Sequence, residues 1–180
     1  MFARTERLTL RPGWSEDAPA LAAAIGHEAV VRNLSRAPWP YTLADATAFT
    51  AAWQGDPGPT FLILAHDGGR CDLIGGIGIG PFGDQPHVMG YWITPSAWRR
   101  GYATEAGRAV LDIAATLGIR RVDAGHYVDN PASGAVLRRL GFVPTGTRSS
   151  IHSRGRGRAV ETIDYAIDLS DRRLDRRLAA

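Results

Sequence analysis

The chain has 180 residues, 44% of them hydrophobic and 22% charged, which is the size and composition of one globular domain. The formal net charge of +3 favours anionic ligands without requiring nucleic acid, and no apolar run approaches the roughly 20 residues that span a bilayer. All 21 cationic side chains are arginine, which excludes lysine Schiff-base chemistry, and the single cysteine, Cys71, excludes an intrachain disulfide. The N-terminus lacks an apolar signal segment, so we expect a cytoplasmic protein without a membrane span.

Strand and helix patterns follow one another through the first half of the chain. Alternating apolar and polar residues mark the opening strand, and helix-capping residues precede the apolar repeats of the helices. The predicted elements are a strand over 7–11, a helix over 18–25, a helix capped by Thr42 with Leu43, Ala46, Phe49 and Trp53 on one side, and strands over 61–65, 73–80 and 87–94. Residues 55–59 break the chain before the second strand, and residues 67–70 form a hairpin turn.

The second half of the chain contains two more helices and ends in a hairpin. The predicted elements are a helix over 103–117 with Ala106, Val110, Ile113, Ala114 and Leu117 on its buried side, a strand over 121–127, a helix from Pro131 to Leu140 capped by Asn130, and hairpin strands over 142–151 and 159–168. Residues 170–180 are predicted to be an exposed, arginine-rich tail. The sequence therefore predicts one α/β domain over 1–180 with a mixed sheet.

The turn between the strand over 87–94 and the following helix has the layout of an anion site. A basic segment containing glycine, Arg99-Arg100-Gly101, leads directly into the helix. Up to four backbone N–H groups at a helix start lack intrahelical partners, and the helix dipole places about half a positive charge there. A diphosphate fits such a turn. Taken alone, the segment is equally compatible with a plain connection between a strand and a helix.

A second glycine motif, over 78–83, fits the GxGxxG pattern of dinucleotide-binding proteins but lies in the wrong context. That pattern needs a helix directly after the glycines, whereas here Asp84, Gln85 and Pro86 lead into another strand. We therefore interpret these glycines as sites of strand twist or close packing.

A motif about thirty residues beyond the anion turn completes a recognisable pattern. Asn130-Pro131-Ala132-Ser133 opens a helix after a strand, and Leu140-Gly141-Phe142 follows that helix. The turn and this motif, in this order, resemble the GNAT N-acetyltransferase family. Within that family, the chain resembles the subgroup of ribosomal-protein alanine acetyltransferases through three features: the run Tyr91-Trp92-Ile93 before the turn, Trp98 at the first position of the turn motif, and Ser133 in the later helix. The resemblance covers 7–168 and implies a GNAT fold, in which a mostly antiparallel, twisted central sheet splays after its fourth strand and carries helices on both faces.

The same resemblance implies that acetyl-CoA is the acyl donor, that no metal is needed, and that a backbone N–H near Ile93 stabilises the oxyanion. Ile93 and Thr94 would pair with the pantetheine arm, Asn130 would contact that arm, and Ser133 would lie near the thioester sulfur. The implied diphosphate site consists of Arg99, Arg100, Gly101, Tyr102, Ala103 and Thr104. A role for Asn130 as a helix cap alone stays open, as does an unremarkable role for Ser133.

Two catalytic positions of the family hold apolar residues in this chain. Many relatives protonate the leaving thiolate with a tyrosine where Leu137 stands here, which leaves Ser133 or water as the donor. Relatives often carry a glutamate base where this chain has Val88. The adjacent His87 is a candidate base, although strand alternation places it on the opposite face unless a bulge intervenes, and an ordinary surface histidine is the alternative. Two further candidate bases are His126 and Tyr127.

This weak catalytic equipment bears on the acceptor. An α-amine with a pKa near 8 needs only about 1.4 kcal/mol to lose its proton at pH 7, whereas a lysine side chain near 10.4 needs about 4.6 kcal/mol. We therefore expect the acceptor to be an α-amine of a protein N-terminus, a peptide or a small amino compound. The alternatives are a non-catalytic acyl-CoA-binding protein and, less favoured, a nucleic-acid-associated protein. A homodimer is compatible with the sequence.

Overall fold

The computed structural model describes residues 1–53, 58–67 and 69–170. Its strands are β1 (Ala3–Arg4), β2 (Leu8–Arg11), β3 (Thr60–Asp67), β4 (Arg70–Phe82), β5 (Gln85–Ile93), β6 (Arg121–Tyr127), β7 (Val143–Ser153) and β8 (Arg158–Asp168). Its α-helices are α1 (Ala18–Ile25), α2 (Glu28–Val31), α3 (Leu43–Ala52), α4 (Tyr102–Thr116) and α5 (Pro131–Arg139). Short 3-10 helices lie at Ser15–Asp17 and Pro95–Ala97. None of the described helices is long and apolar enough to cross a bilayer.

The helices begin where capping residues predict. The Thr42 side chain accepts a hydrogen bond from the Asp45 N–H, and the Asp45 carboxylate accepts one from the Thr42 N–H at 2.8 Å, so α3 starts with a reciprocal capping box. At α5, the Asn130 side chain accepts from the Ser133 N–H, and Pro131 occupies the first helical position. These local bonds fix the entry point of each helix.

All strands belong to one sheet with the order β1-β2-β3-β4-β5-β6-β8-β7. Every neighbouring pair is antiparallel except β5 and β6, which run parallel. The prediction of a mixed, mostly antiparallel sheet is confirmed. The terminal hairpin is inverted in space, since its second strand, β8, pairs with β6 and leaves β7 at the edge.

Helices cover both faces of the sheet. On β3, Phe61 and Ile63 point into the core shared with α4 and α5, whereas Leu62 and Leu64 point into a second core with α1 and α3. This alternation follows from the two-residue period of a strand. Because both faces of β3 are buried, its sequence is a continuous hydrophobic run.

The parallel pair of strands separates along its length. Only Val88 with Asp123 and Met89 with Ala124 are paired between β5 and β6, although β5 continues to Ile93. A gap therefore opens between the two strands beyond Met89. The strand that borders it, β5, is the fourth of the strands predicted from sequence, because the two-residue β1 was not predicted.

Phe49 and Trp53 lie on one side of α3 as predicted, with ring centroids 5.1 Å apart, whereas the prediction that Leu117 lies on the buried side of α4 was wrong. Leu43, Phe49 and Leu117 are 54%, 45% and 50% exposed. On α3 the buried residues are Ala46 and Thr50, because this helix packs against α1 through small side chains. Leu117 follows the last turn of α4, where the chain reverses.

The elements that the sequence did not predict are β1, α2 and the two 3-10 helices. The chain break predicted within 55–59 and the hairpin turn at 67–70 lie partly outside the described residues, as does most of the tail over 170–180.

Candidate functional site

The turn before α4 presents converging backbone donors at the open end of the gap. Arg99 and Gly101 have φ values of 60° and 81°, both in the left-handed region. Such turns curve successive N–H groups toward one point and form anion-binding concavities. The first intrahelical bond runs from the Glu105 N–H to the Gly101 carbonyl at 3.0 Å, so the N–H groups of 102–104 lack intrahelical partners. Gly101 is suited to this conformation, while Arg99 adopts it at a steric cost of about 1 kcal/mol.

Arg7, the residue before β2, bonds to this turn and to the first turn of α4. Its Nη1 donates to the Arg100 carbonyl at 3.0 Å, and its Nε donates to the Glu105 carboxylate at 2.8 Å. Glu105 also accepts from the Thr5 hydroxyl at 2.6 Å and the Arg7 N–H at 3.0 Å. Although burial alone would raise the pKa of Glu105, these hydrogen bonds hold it below its usual range. The guanidinium thus offsets the one carboxylate in the first turn of α4, which would otherwise oppose a bound anion.

The remaining residues of the turn divide into exposed cations and buried supports. Arg99 and Arg100 are exposed, and Tyr102 is only 3% exposed, with the Arg7 and Arg100 guanidinium carbons 4.8 and 5.1 Å from its ring centroid. Thr104 is also buried, and Ala103 is half-buried. The sequence-predicted diphosphate residues therefore form one continuous segment, of which Tyr102 is the packed anchor.

The edge of β5 that faces the gap has free backbone groups, but not at every predicted position. The Thr94 N–H donates to the Ile74 carbonyl at 2.8 Å, and the Thr94 carbonyl accepts from Ala97. Thr94 is thus turned toward β4, and strand alternation directs the main-chain groups of Tyr91 and Ile93 toward the gap. The Trp98 indole donates to the Ile93 carbonyl at 2.6 Å. Because its N–H is already used, Thr94 is a poorer candidate for pairing with an added chain than the sequence predicted.

Tyr91 and Ser133 meet beside the gap. The Tyr91 hydroxyl lies 2.7 Å from the Ser133 Oγ and 3.2 Å from the Ser133 carbonyl oxygen. Burial raises the pKa of Tyr91 to about 12, and the hydrogen bond with Ser133 opposes this only in part. Asn130 accepts from the Ser133 N–H at 3.4 Å, so the asparagine does cap α5. Sequence reasoning identified Ser133 and Asn130 but missed Tyr91, whose alternation with Met89 and Ile93 was the available signal.

The candidate bases occupy different environments. Between the pairs Gly80–Val88 and Phe82–Gln85, β4 has one residue and β5 has two, Pro86 and His87, so a bulge does occur at His87. His87 is half-buried next to the last paired residues of β5 and β6. His126 is buried, with its Nδ1 2.9 Å from the Tyr127 carbonyl oxygen, and the Tyr127 hydroxyl is buried without a hydrogen-bond partner among the described residues. These last two side chains are packed into the fold, unlike His87.

Neither a metal-ligand cluster nor the cavity given by the described residues coincides with the predicted site. Within 1–53, 58–67 and 69–170, no three His, Cys, Asp or Glu side chains are grouped to hold a metal ion. A cavity of about 480 Å³ lies between β1 and α4, lined in part by Ala3, Ala109 and Leu117. None of the sequence-predicted site residues lines this cavity.

Known proteins are similar to this chain in sequence and in fold. Residues 7–143 match the family described as acetyltransferase (GNAT) domain. The chain is 30% identical over 150 residues to the uncharacterized N-acetyltransferase YoaA of Bacillus subtilis strain 168. This alignment covers 79% of this chain and 82% of that relative.

Two solved structures show the same fold. One is the microcin C7 self immunity acetyltransferase MccE in complex with acetyl-CoA and AMP, with a TM-score of 0.75 and 18% identity over 91% of this chain and 93% of that chain. The other is the ribosomal-protein-S5-alanine acetyltransferase from Vibrio fischeri, with a TM-score of 0.75 and 17% identity over 95% of this chain and 98% of that chain.

Proposed function

Because the chain belongs to the GNAT acetyltransferase family and is an acyl-CoA-dependent N-acetyltransferase, we propose that its turn and gap bind acetyl-CoA and that its acceptor is an α-amine. The observation that carries this proposal is the position of the anion turn at the open end of the gap between β5 and β6. The acetyl-CoA bound to MccE supports the same donor for this chain.

The diphosphate of acetyl-CoA occupies the turn. The unpaired N–H groups at the start of α4 and the left-handed backbone at Arg99 and Gly101 supply the donors, and the exposed Arg99 and Arg100 side chains add positive charge. Arg7 forms an ion pair with the Glu105 carboxylate beneath this site, so that the negative charge of Glu105 is balanced by a positive one. The whole segment 99–104 therefore forms one diphosphate-binding site.

The pantetheine arm enters the gap as an added strand along β5. The Ile93 N–H faces the gap and pairs with an amide of the arm, and Asn130 at the opposite wall contacts the same arm. The thioester then lies near the closed end of the gap, where Met89 pairs with Ala124. There the Tyr91 N–H, on the same edge as Ile93, is the donor that we assign to the oxyanion.

Ser133 and Tyr91 protonate the leaving group. The neutral amine attacks the thioester carbonyl, the C–S bond breaks, and the thiolate takes the Ser133 hydroxyl proton while Ser133 takes the Tyr91 proton. Tyr91 is then reprotonated from solvent. Because burial raises the pKa of Tyr91 to about 12, the phenol is protonated throughout the physiological range and its hydroxyl is available as a hydrogen-bond donor.

Proton removal from the acceptor needs little help in this site. Deprotonation of an α-amine at pH 7 costs only about 1.4 kcal/mol of free energy, against about 4.6 kcal/mol for a lysine side chain. His87, in the bulge near the closed end of the gap, is the side chain that we assign to accept this proton. The position where relatives carry a tyrosine is a fully buried leucine, Leu137, and takes no part.

A CoA-release assay tests the proposal. Saturating acetyl-CoA is offered with an alanine-initiated peptide, with the same peptide blocked at its N-terminus and carrying one lysine, and with no acceptor, all at pH 7. We expect release with the free α-amine to exceed release with the lysine peptide at least tenfold. A preference for lysine contradicts the α-amine assignment. Tight acetyl-CoA binding without turnover across many amines favours the non-catalytic alternative.

A further inference from the structure

Asp164 on β8 is a carboxylate held by hydroxyl groups rather than by a cation. Its Oδ2 accepts from the Ser149 hydroxyl at 2.6 Å and the Thr147 hydroxyl at 3.2 Å, and its Oδ1 accepts from the Thr162 hydroxyl at 3.1 Å. In the part of the chain that the structure describes, it forms no ion pair, whereas the strand carboxylates Asp72, Asp123 and Glu161 each pair with an arginine. The side chain is half-buried.

A local irregularity of β7 assembles these hydroxyls. Pro144 pairs with Tyr165 and Arg148 pairs with Ile163, so three residues of β7, 145–147, lie opposite the single residue Asp164. The extra residues fold back, and the Thr145 hydroxyl bonds both to Thr147, at 2.6 Å, and to the Asp164 carbonyl. The bulge thereby fixes the carboxylate in one orientation.

One strand, β6, separates Asp164 from the closed end of the gap, and the residue of β6 beside Asp164 has no side chain. Asp164 pairs with Gly125 on β6, and a Cβ built on Gly125 would lie 3.6 Å from the Asp164 Oδ1. Gly125 is the first residue of β6 beyond its last pair with β5, and Gly90 is the corresponding residue of β5. A Cβ built on Gly90 would meet no atom within 4 Å. No side chain from these two strand positions therefore stands between Asp164 and the gap.

This carboxylate lies on the face of the sheet away from α4 and α5. Met89 and Ala124, one residue back along each strand, are buried in the core with those helices, so Gly90 and Gly125 face the other way. Tyr91 and Ser133, on the α5 side, receive the leaving thiol. An acceptor that approaches from the opposite face thus reaches the thioester next to Asp164.

We infer that Asp164 is the acceptor-binding carboxylate, which holds the incoming ammonium beside the two glycines before the amine attacks. The inference rests on the proposed function and narrows its substrate class. An isolated carboxylate attracts a cationic amine and repels a second carboxylate next to that amine. The acceptor class is therefore an amine without a neighbouring carboxylate, such as a peptide N-terminus, rather than a free amino acid.

The test compares alanine amide with free alanine, two acceptors that differ in the neighbouring carboxylate. Steady-state CoA release is measured for the wild type, for Asp164→Asn, and for Glu161→Gln, a control on the same strand whose carboxylate is exposed and pairs with Arg148. Asparagine keeps the shape, and its hydroxyl partners can reverse their roles as donors and acceptors, so the bulge is retained. Calorimetric binding of acetyl-CoA to all three proteins reports on the donor site separately.

We expect Asp164→Asn to raise KM for alanine amide about tenfold and to reduce the preference for alanine amide over alanine, with acetyl-CoA affinity within twofold of the wild type. Glu161→Gln should change neither. Unchanged KM and preference in an active Asp164→Asn enzyme overturn the inference and leave the proposed function intact. An equal loss for both acceptors together with weaker acetyl-CoA binding reveals a structural role and also overturns it. A wild type that neither binds acetyl-CoA nor releases CoA overturns the proposed function and this inference together.

Discussion

The Tyr91 hydroxyl lies 2.7 Å from the Ser133 Oγ and joins β5 to the first turn of α5 beside the gap. Relatives of this family often place a tyrosine at the position of Leu137, one turn further along the same helix, and here that position is a buried part of the core. A phenol is therefore still available beside α5, but it comes from the strand. We propose that it reaches the thiolate through Ser133.

Replacing Tyr91 by phenylalanine should lower kcat by about tenfold to a hundredfold, because general-acid assistance typically contributes that much or more. Ser133→Ala should have at least the same effect, and the double variant should be no worse than Ser133→Ala, since the two hydroxyls act in series. Steady-state kinetics with saturating acetyl-CoA provide the measurement. Additive losses in the double variant would show that the two hydroxyls act independently.

The pH profile of the reaction should carry no signature of Tyr91 ionisation between pH 7 and 9.5. Burial raises the pKa of Tyr91 to about 12, so the phenol stays protonated there and kcat/KM rises with pH as the amine loses its proton. Tyr91→Phe should lower the whole profile without changing its shape over this range. A descending limb near pH 9 that disappears in the phenylalanine variant would contradict this assignment.

Arg7→Ala should weaken acetyl-CoA binding by about tenfold, because Arg7 both bonds the Arg100 carbonyl and neutralises Glu105 beneath the diphosphate. The effect should be confined to donors that carry a diphosphate. Acetyl-pantetheine lacks that group, so kcat/KM with this donor should change less than twofold. The control is Arg4→Ala, which removes an exposed arginine of β1. Equal losses with both donors would indicate general damage to the fold.

The ion pair between Arg11 and Asp17 should make stability depend on pH. Two guanidinium nitrogens lie 2.7 Å from the two carboxylate oxygens, and the hydrogen bond with Arg11 lowers the pKa of Asp17 below 3.8. A lowered folded-state pKa stabilises the protein above the unfolded value, and this stabilisation is lost as pH falls through the folded value. Asp17→Asn should therefore reduce the free energy of unfolding by about 2 kcal/mol at pH 7, and by progressively less as the pH falls through the lowered pKa of Asp17, as measured by urea denaturation. A difference that is constant with pH would exclude this ionic contribution.

Much of the fold could be predicted because its signals are local. Thr42 and Asn130 cap the helices that follow them. The predicted range of β6 agrees with the structure, and the apolar run predicted as a strand over 61–65 lies within β3. The anion turn was also predictable, since a strand, a glycine and a helix start are neighbours in sequence. What local patterns did not indicate was which helix side is buried when small residues such as Ala46 make the contact.

Other parts of the candidate site depend on contacts between distant segments. Arg7 and Glu105 are 98 residues apart, and Tyr91 and Ser133 are 42 residues apart, so no local pattern joins them. The register of β7 against β8, which assembles the hydroxyl groups around Asp164, depends on a bulge. Sequence patterns fix such registers poorly, because one inserted residue reverses every side chain beyond it.

Calorimetric titration of acetyl-CoA into wild type and Gly101→Glu tests whether the turn at 99–104 binds the diphosphate of acetyl-CoA. The substitution places bulk and negative charge at a left-handed position of the turn, and Gly69→Glu makes the same change at another left-handed glycine with open space around it. We predict that the wild type and Gly69→Glu bind acetyl-CoA alike and that Gly101→Glu, with its thermal unfolding intact, does not bind it. Unchanged binding by a folded Gly101→Glu, or no binding by the folded wild type, would contradict the account.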